Sequence, residues 1–239
     1  MLTSQQRHIL SQQAWFSAMP LPLQDVLLSA ATLRLYQQGQ AVHLKDDSAS
    51  GFYGICRGRL RVAHHSPDGR EMLLALLDPG NWFGEVAMFD DKARTHTVYC
   101  ETKAELAVIS RTRFQHLLNT HPDFYPYFMR LLCTRVRSAF QFIDASASMS
   151  LREQLLRRLQ MLMTSYGQHF AGASPVTLTV SQEALAQMIN SSRQTVNQIL
   201  RTLQEEGKLT LGYRRITVHN PGDLLDGING GPGAATTGY

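Results

Sequence analysis

The feature that most constrains this chain is a change of rhythm near its middle. From about Ala31 to Arg111, short runs rich in β-branched and aromatic residues alternate with turn-forming residues: ATLRLY, QAVHL, GFYGICRG, RLRVAHHS, EMLLALL, THTVYCE and ELAVIS. SPDG at Ser66–Gly69 and DPGN at Asp78–Asn81 have the chemistry of tight turns. Strands this short and this closely spaced imply a β-sandwich or barrel. After His121 and Pro122, which suit a helix start, the chain runs to Tyr166 without glycine and, past Pro126, without proline. A β-layered unit followed by long helices gives an α+β protein, and 239 residues exceed the usual single domain.

The first long helix carries Met129, Leu132, Val136, Ala139 and Ile143 at alternating steps of three and four. That narrow, heptad-like seam implies pairing with a second copy of the same helix, with packing on the chain's own sandwich as the other use of an apolar face. A second amphipathic helix spans Leu151 to Tyr166, ended by Gly167. The strand VTLTV, two further helical stretches and the hairpin KLTLGYRRITV follow, and the Gly- and Thr-rich end beyond Leu225 has the composition of a disordered tail.

In SQEALAQMINSSRQTVNQILRTL, Ser181 and Ser192 suit N-caps, and Asn190 stands where a turn needs a positive φ. Val196, Ile199, Leu200 and Leu203 form an apolar stripe on the second helix. Its start and opposite face, Ser192, Arg193, Gln194, Asn197 and Gln198, consist of hydrogen-bonding groups. Arg reads guanine O6 and N7, and Gln or Asn reads adenine N6 and N7, so this is a helix-turn-helix and wing suited to double-stranded DNA. The net charge of +4 is concentrated between residues 150 and 220, as a polyanion partner requires.

Composition excludes other classes. A hydrophobic content of 44% and charged content of 18% are near globular averages, and no apolar run reaches membrane-spanning length. The start, MLTSQQRHIL, lacks the apolar core of a secretory signal, so a cytoplasmic location away from membranes is expected. Cys56, Cys100 and Cys133 lie far apart with no metal-ligand spacing, which implies reduced, mostly buried thiols.

The order of strand-rich region, long helix and winged helix-turn-helix resembles the Crp/Fnr family of bacterial transcription regulators. GNWFGEVAMFDDKARTHTV resembles that family's phosphate-binding cassette, and SSRQTVNQILRTLQEEG resembles its recognition helix. The resemblance implies an N-terminal jelly-roll sensor over 1–120, a dimerisation helix over 121–149 and a DNA-binding winged helix over 150–220, with a tail at 221–239. It implies no catalysis, a homodimer on a palindromic DNA site, RNA polymerase as partner, and an effector such as cyclic AMP or cyclic GMP. Carried over by residue, Gly84, Glu85 and Val86 cradle the cyclic phosphate, Arg94 neutralises it and Thr95 supplies a hydroxyl. In cyclic-AMP-binding members an adjacent Thr and Ser on the dimer helix contact adenine. Ala139 and Phe140 stand there in this chain, with Phe140 able to stack on a purine or fill its space, and Arg135 one turn earlier facing the same pocket.

Other readings stay open at this level. Glu85 and Arg94 form a structural ion pair in an effector-independent regulator, or His64, His65 or His96 ligates a haem. A β-barrel metalloenzyme is the reading from a different class; the adjacent His64 and His65 argue against it, because neighbouring strand residues point to opposite faces.

Overall fold

A computed structural model describes residues 2–65, 71–163, 175–222 and 224. The chain forms two compact units that divide between Gln141 and Phe142.

The first unit opens with three helices, α1 (Ser4–Ser11), α2 (Ala14–Ser17) and α3 (Leu21–Ser29). Strands β1 (Thr32–Tyr36), β2 (Ala41–His43), β3 (Gly51–Arg57), β4 (Leu60–His65), β5 (Glu71–Leu77) and β6 (Trp82–Phe83) follow. After the short α4 (Val86–Phe89) come β7 (Thr97–Cys100), β8 (Ala104–Ser110), α5 (Arg111–Thr120) and the long α6 (Tyr125–Ser148), whose residues from Phe142 onward belong to the second unit. The strands make two antiparallel sheets, ordered β1-β8-β3-β6 and β2-β7-β4-β5. This order is a jelly roll, the architecture that the family resemblance implies.

Two cores share β3, which is why GFYGICR reads as a nearly continuous apolar run rather than an alternating one. Tyr53 and Ile55 pack between the sheets with Leu60, Leu77, Phe83, Val98, Leu106 and Val108. Phe52 and Cys56 point the other way, into a core with Trp82 of β6 and with Leu10, Trp15, Phe16, Phe114 and Phe128 from the helices. Trp82 stacks between Phe52 and Phe16, with ring centroids 5.0 and 5.6 Å away, and its indole N–H donates to the Leu10 carbonyl at 3.0 Å.

The DPGN turn forms as expected, with Gly80 at φ +90° and the Asn81 N–H donating to the Asp78 carbonyl. The SPDG turn lies outside the described residues. Helices α1, α2, α3 and α5 and the two-residue β6 were not expected from the sequence. Pro126 falls in the first turn of α6, where the missing N–H costs no helical bond. Cys56 and Cys100 are buried and Cys133 is exposed, so the three free thiols are mostly buried, as expected.

In the second unit, α7 (Leu151–Met163), β9 (Val176–Leu178), α8 (Gln182–Met188), α9 (Arg193–Glu205), β10 (Leu209–Gly212) and β11 (Arg215–Val218) form a winged helix-turn-helix. Its three-stranded sheet is ordered β10-β11-β9. Leu155, Leu159, Leu185, Val196, Leu200, Leu203 and Val218 fill the core. Tyr166 and Gly167, expected at the end of α7, lie outside the described residues, as do residue 223 and the tail from 225 to 239. Among the described residues no helix is long and apolar enough to cross a membrane.

Candidate functional site

The jelly roll forms a half-open cavity of about 250 Å³ against α6. Gly84, Glu85, Val86, Arg94, Thr95, Arg135 and Ala139 all line it. The structure therefore brings together seven of the eight residues inferred from the cassette and the long helix. Phe140 is the exception: it is not among the lining residues and stands 61% exposed on α6. The remaining wall comes from His43, Val62, Leu77, Phe83, Ala87, His96 and Val98, none assigned to the cavity from the sequence. Strand alternation points Val62 and Val98 inward, but nothing local to either residue says which inward positions meet at one end of a sandwich.

Gly84 sits at φ +94°, and a Cβ there would meet an Arg94 guanidinium nitrogen at 2.9 Å. The position thus needs glycine twice, for its backbone and for the space it leaves Arg94. α4 starts immediately afterwards, so the first-turn N–H groups of Val86 and Ala87 have no intrahelical acceptor.

Arg94 and Glu85 are each only 3% exposed, yet they do not pair with each other. Arg94 donates through Nη1 to the Gly84 carbonyl at 2.8 Å and through Nη2 to the Gly51 carbonyl at 2.5 Å. Its Nε has no partner among the described residues, and its cation lies 5.6 Å from the Tyr53 ring centroid. Burial lowers its pKa against the opposing pull of Tyr53 and Glu85. Glu85 instead accepts from Arg135 Nε at 2.9 Å, while Arg135 Nη2 donates to the Trp82 carbonyl at 2.7 Å. The Glu85–Arg94 ion pair of the effector-independent reading is thus replaced by a Glu85–Arg135 pair, because α6 delivers a second guanidinium to the carboxylate. Among the described residues, Glu85 Oε2 is left buried without a donor.

His43 is buried beside Arg94, with Nδ1 lacking a partner among the described residues. Burial, reinforced by the Arg94 charge, pushes its pKa down to about 4. His96 is shifted the same way by burial, then by His64 and Lys45, and its Nδ1 lies 2.9 Å from the Thr95 hydroxyl. Among the described residues no three His, Cys, Asp or Glu side chains cluster to hold a metal ion.

On the outward side of α6, Met129, Val136 and Ile143 are 55%, 51% and 56% exposed. Ala139 is also exposed and Leu132 half-buried. Phe140 falls within this stripe at helical spacing.

In the second unit Ser181 and Ser192 cap α8 and α9, their hydroxyls accepting from the Ala184 and Thr195 N–H groups. Asn190 takes φ +49° in the turn, and the Ser191 N–H donates to the Ala186 carbonyl at 2.9 Å. Val196, Leu200 and Leu203 are buried, whereas Ile199 is only half-buried at the margin of the stripe. Arg193, Gln194 and Gln198 are exposed and line one groove with Asn197. Asn197 is only half-buried and engaged: its Nδ2 donates to Gln182 Oε1 at 2.8 Å. At the wing tip Tyr213 is 94% exposed and Arg214 holds φ +51°.

A sensor-type jelly roll followed by a winged helix with a polar recognition face defines a DNA-binding transcription regulator. Residues 33–121 match the cyclic nucleotide-binding domain family, and residues 153–226 match the Crp-like helix-turn-helix domain family. A cyclic AMP receptor protein of Thermus thermophilus is 29% identical over 194 residues, covering 81% of this chain and 87% of that one. A CRP-like cAMP-activated global transcriptional regulator of Mycobacterium tuberculosis is 25% identical over 183 residues, covering 77% and 82%. Among solved structures, the Thermus thermophilus catabolite activator protein superposes with a TM-score of 0.52 at 27% identity, covering 89% of this chain and 96% of that one. The fold also matches a c-di-GMP responsive global regulator of Xanthomonas campestris, with a TM-score of 0.64 at 22% identity and coverage of 84% and 100%. The chain belongs to the Crp/Fnr family of transcription regulators.

Proposed function

We propose that the protein is a homodimeric regulator that binds a palindromic DNA site under the control of a cyclic mononucleotide held in the jelly-roll cavity. The observation that carries this reading is the buried Arg94, which among the described residues has no carboxylate partner and an unused Nε. Two guanidiniums and one carboxylate meet in the cavity, and Arg135 already neutralises Glu85. The remaining buried cation is costly unless an anion joins it. The free Glu85 Oε2 supports an effector that also carries a hydroxyl donor. A phosphate ester of a ribose supplies both. The printed names of the relatives, which include a cyclic AMP receptor protein, support the same class.

The exposed α6 stripe supports the homodimer, since an apolar helix face of this length is stable when a second copy covers it. Arg135 gives the coupling a route. It lies on the same helix as that stripe and ties the helix to the cassette through Glu85 and Trp82. An effector that changes the Glu85–Arg135 contact shifts the balance between helix arrangements only as far as its affinity differs between them. Sensor, dimerisation helix, DNA-binding unit and tail follow the ranges 1–120, 121–149, 150–220 and 221–239. Work on DNA in the cytoplasm with RNA polymerase completes the reading.

One feature favours a second reading, an effector-independent regulator: two backbone carbonyls already bind Arg94. Titration calorimetry with cyclic AMP and cyclic GMP separates the two. Wild type binds one of them, and Arg94→Leu, which removes charge-assisted bonds, loses about 2–3 kcal/mol of that affinity. Absence of binding to wild type, with unchanged DNA affinity in Arg94→Leu, establishes the effector-independent reading.

A further inference from the structure

The recognition helix α9 does not present its polar side chains on equal terms. Arg193, Gln194 and Gln198 are exposed, but Asn197 donates from Nδ2 to Gln182 Oε1, 2.8 Å away on α8. Both residues are half-buried and line the same groove. Gln182 is the first residue of α8, directly after the Ser181 cap. The bond therefore joins the entry of one helix to the reading face of the other.

The hydrogen-bond inventory of two primary amides makes this contact informative. Asn197 spends one of its two N–H groups on Gln182 and keeps one N–H and its carbonyl oxygen. Those are the donor and acceptor that an amide needs to read adenine N7 and N6 together. Gln182 spends its carbonyl oxygen on Asn197 and keeps its NH₂ group, which only donates. The first helix of a helix-turn-helix crosses the DNA backbone, where donors meet phosphate oxygens.

We infer that Gln182 is a positioning residue for base reading: its carbonyl oxygen holds the Asn197 amide in one orientation for adenine, while its NH₂ group donates to the DNA backbone. This rests on α9 being the DNA-reading helix. Asn197 meets the base already ordered, so it loses less side-chain freedom on binding than an unrestrained amide. The phosphate contact and the base contact become one rigid unit, and register on the backbone fixes the base that Asn197 faces.

Selection of bound sites from a random oligonucleotide pool, together with affinity measurements on the wild-type winning site, tests this with the full-length protein. Gln182→Ala and Asn197→Ala should relax preference at the same base pair, with affinity falling roughly 2–10-fold for the first and roughly 5–100-fold for the second. Gln182→Glu keeps an acceptor for Asn197, and a carboxylate in the first turn of α8 is favourable to the helix, so this variant retains the fold. It should preserve the wild-type base preference while weakening binding to all sequences evenly, because the carboxylate repels phosphate. A purely structural role for Gln182 does not produce that split between preference and affinity. Wild-type base preference retained in Gln182→Ala, or an unchanged motif in Asn197→Ala, overturns the inference. Wild type enriching no motif at all overturns the DNA-reading role of α9 and this inference with it.

Discussion

Arg94 and Arg193 illustrate two ways of using a guanidinium. Arg94 is buried in the jelly roll, anchored by two carbonyls, beside a histidine whose proton affinity it lowers. Arg193 stands exposed at the start of α9, among neutral amides. The cavity holds desolvated charge, so its chemistry is strong, selective and sensitive to pH. The recognition helix holds solvated charge and must gain its selectivity from geometry against base edges. A loss in the cavity should therefore act as a switch, and a loss on α9 as a change in sequence preference.

The largest effect tests whether either region works in a single chain. Glutamates at Leu132 and Val136 set like charges in the apolar stripe of α6, so the double variant should sediment as a monomer and lose palindrome binding. An intact dimer would remove the stripe from the account. Next is a pH effect peculiar to the cavity. His43 titrates near 4 when folded against an ordinary value of 6.5, so the unfolded chain takes up more protons between those values. Its contribution is fully present above pH 6.5 and declines as pH falls toward 4, by on the order of 3 kcal/mol in all. Thermal melts at pH 7 and pH 5 should show a smaller difference for His43→Gln than for wild type. Equal differences would mean that the imidazole is not the group responsible.

Changes on α9 are smaller and concern preference. Arg193→Ala should cost roughly 1–3 kcal/mol and relax one base pair, read by competition binding with single-base variants of the site. Gln194→Glu exchanges a side chain that both donates and accepts for one that only accepts, favouring cytosine N4 over adenine at the facing base pair. Site selection should return different motifs for this variant and wild type. Identical motifs would show that residue 194 faces no base edge.

The same contrast explains what the sequence disclosed. A helical face is local: residues three and four apart share it, so Gln194 and Gln198 could be grouped by counting. The cassette is also local, within Gly84 to Thr95, and its lining role was legible by resemblance. Partnership was not local. Glu85 met Arg135 from a helix fifty positions later rather than Arg94 nearby, and Asn197 met Gln182 across the turn. His43, Val62 and Leu77 reach the cavity through sheet closure, which no single strand announces. The N-terminal helices are not legible in the sequence because their apolar residues, Leu10, Trp15, Phe16 and Leu27, follow no single long periodic run.

Trp82 has one more use. The chain contains two tryptophans, Trp15 and Trp82, and both are buried in the jelly-roll unit. The winged helix contributes none, so tryptophan fluorescence is blind to it. Trp82 also carries on its own carbonyl the Arg135 contact that bounds the cavity. The molecule thus contains an optical probe of its jelly-roll unit, and emission from unlabelled protein can follow an event at the cavity while DNA is present, without a signal from α9.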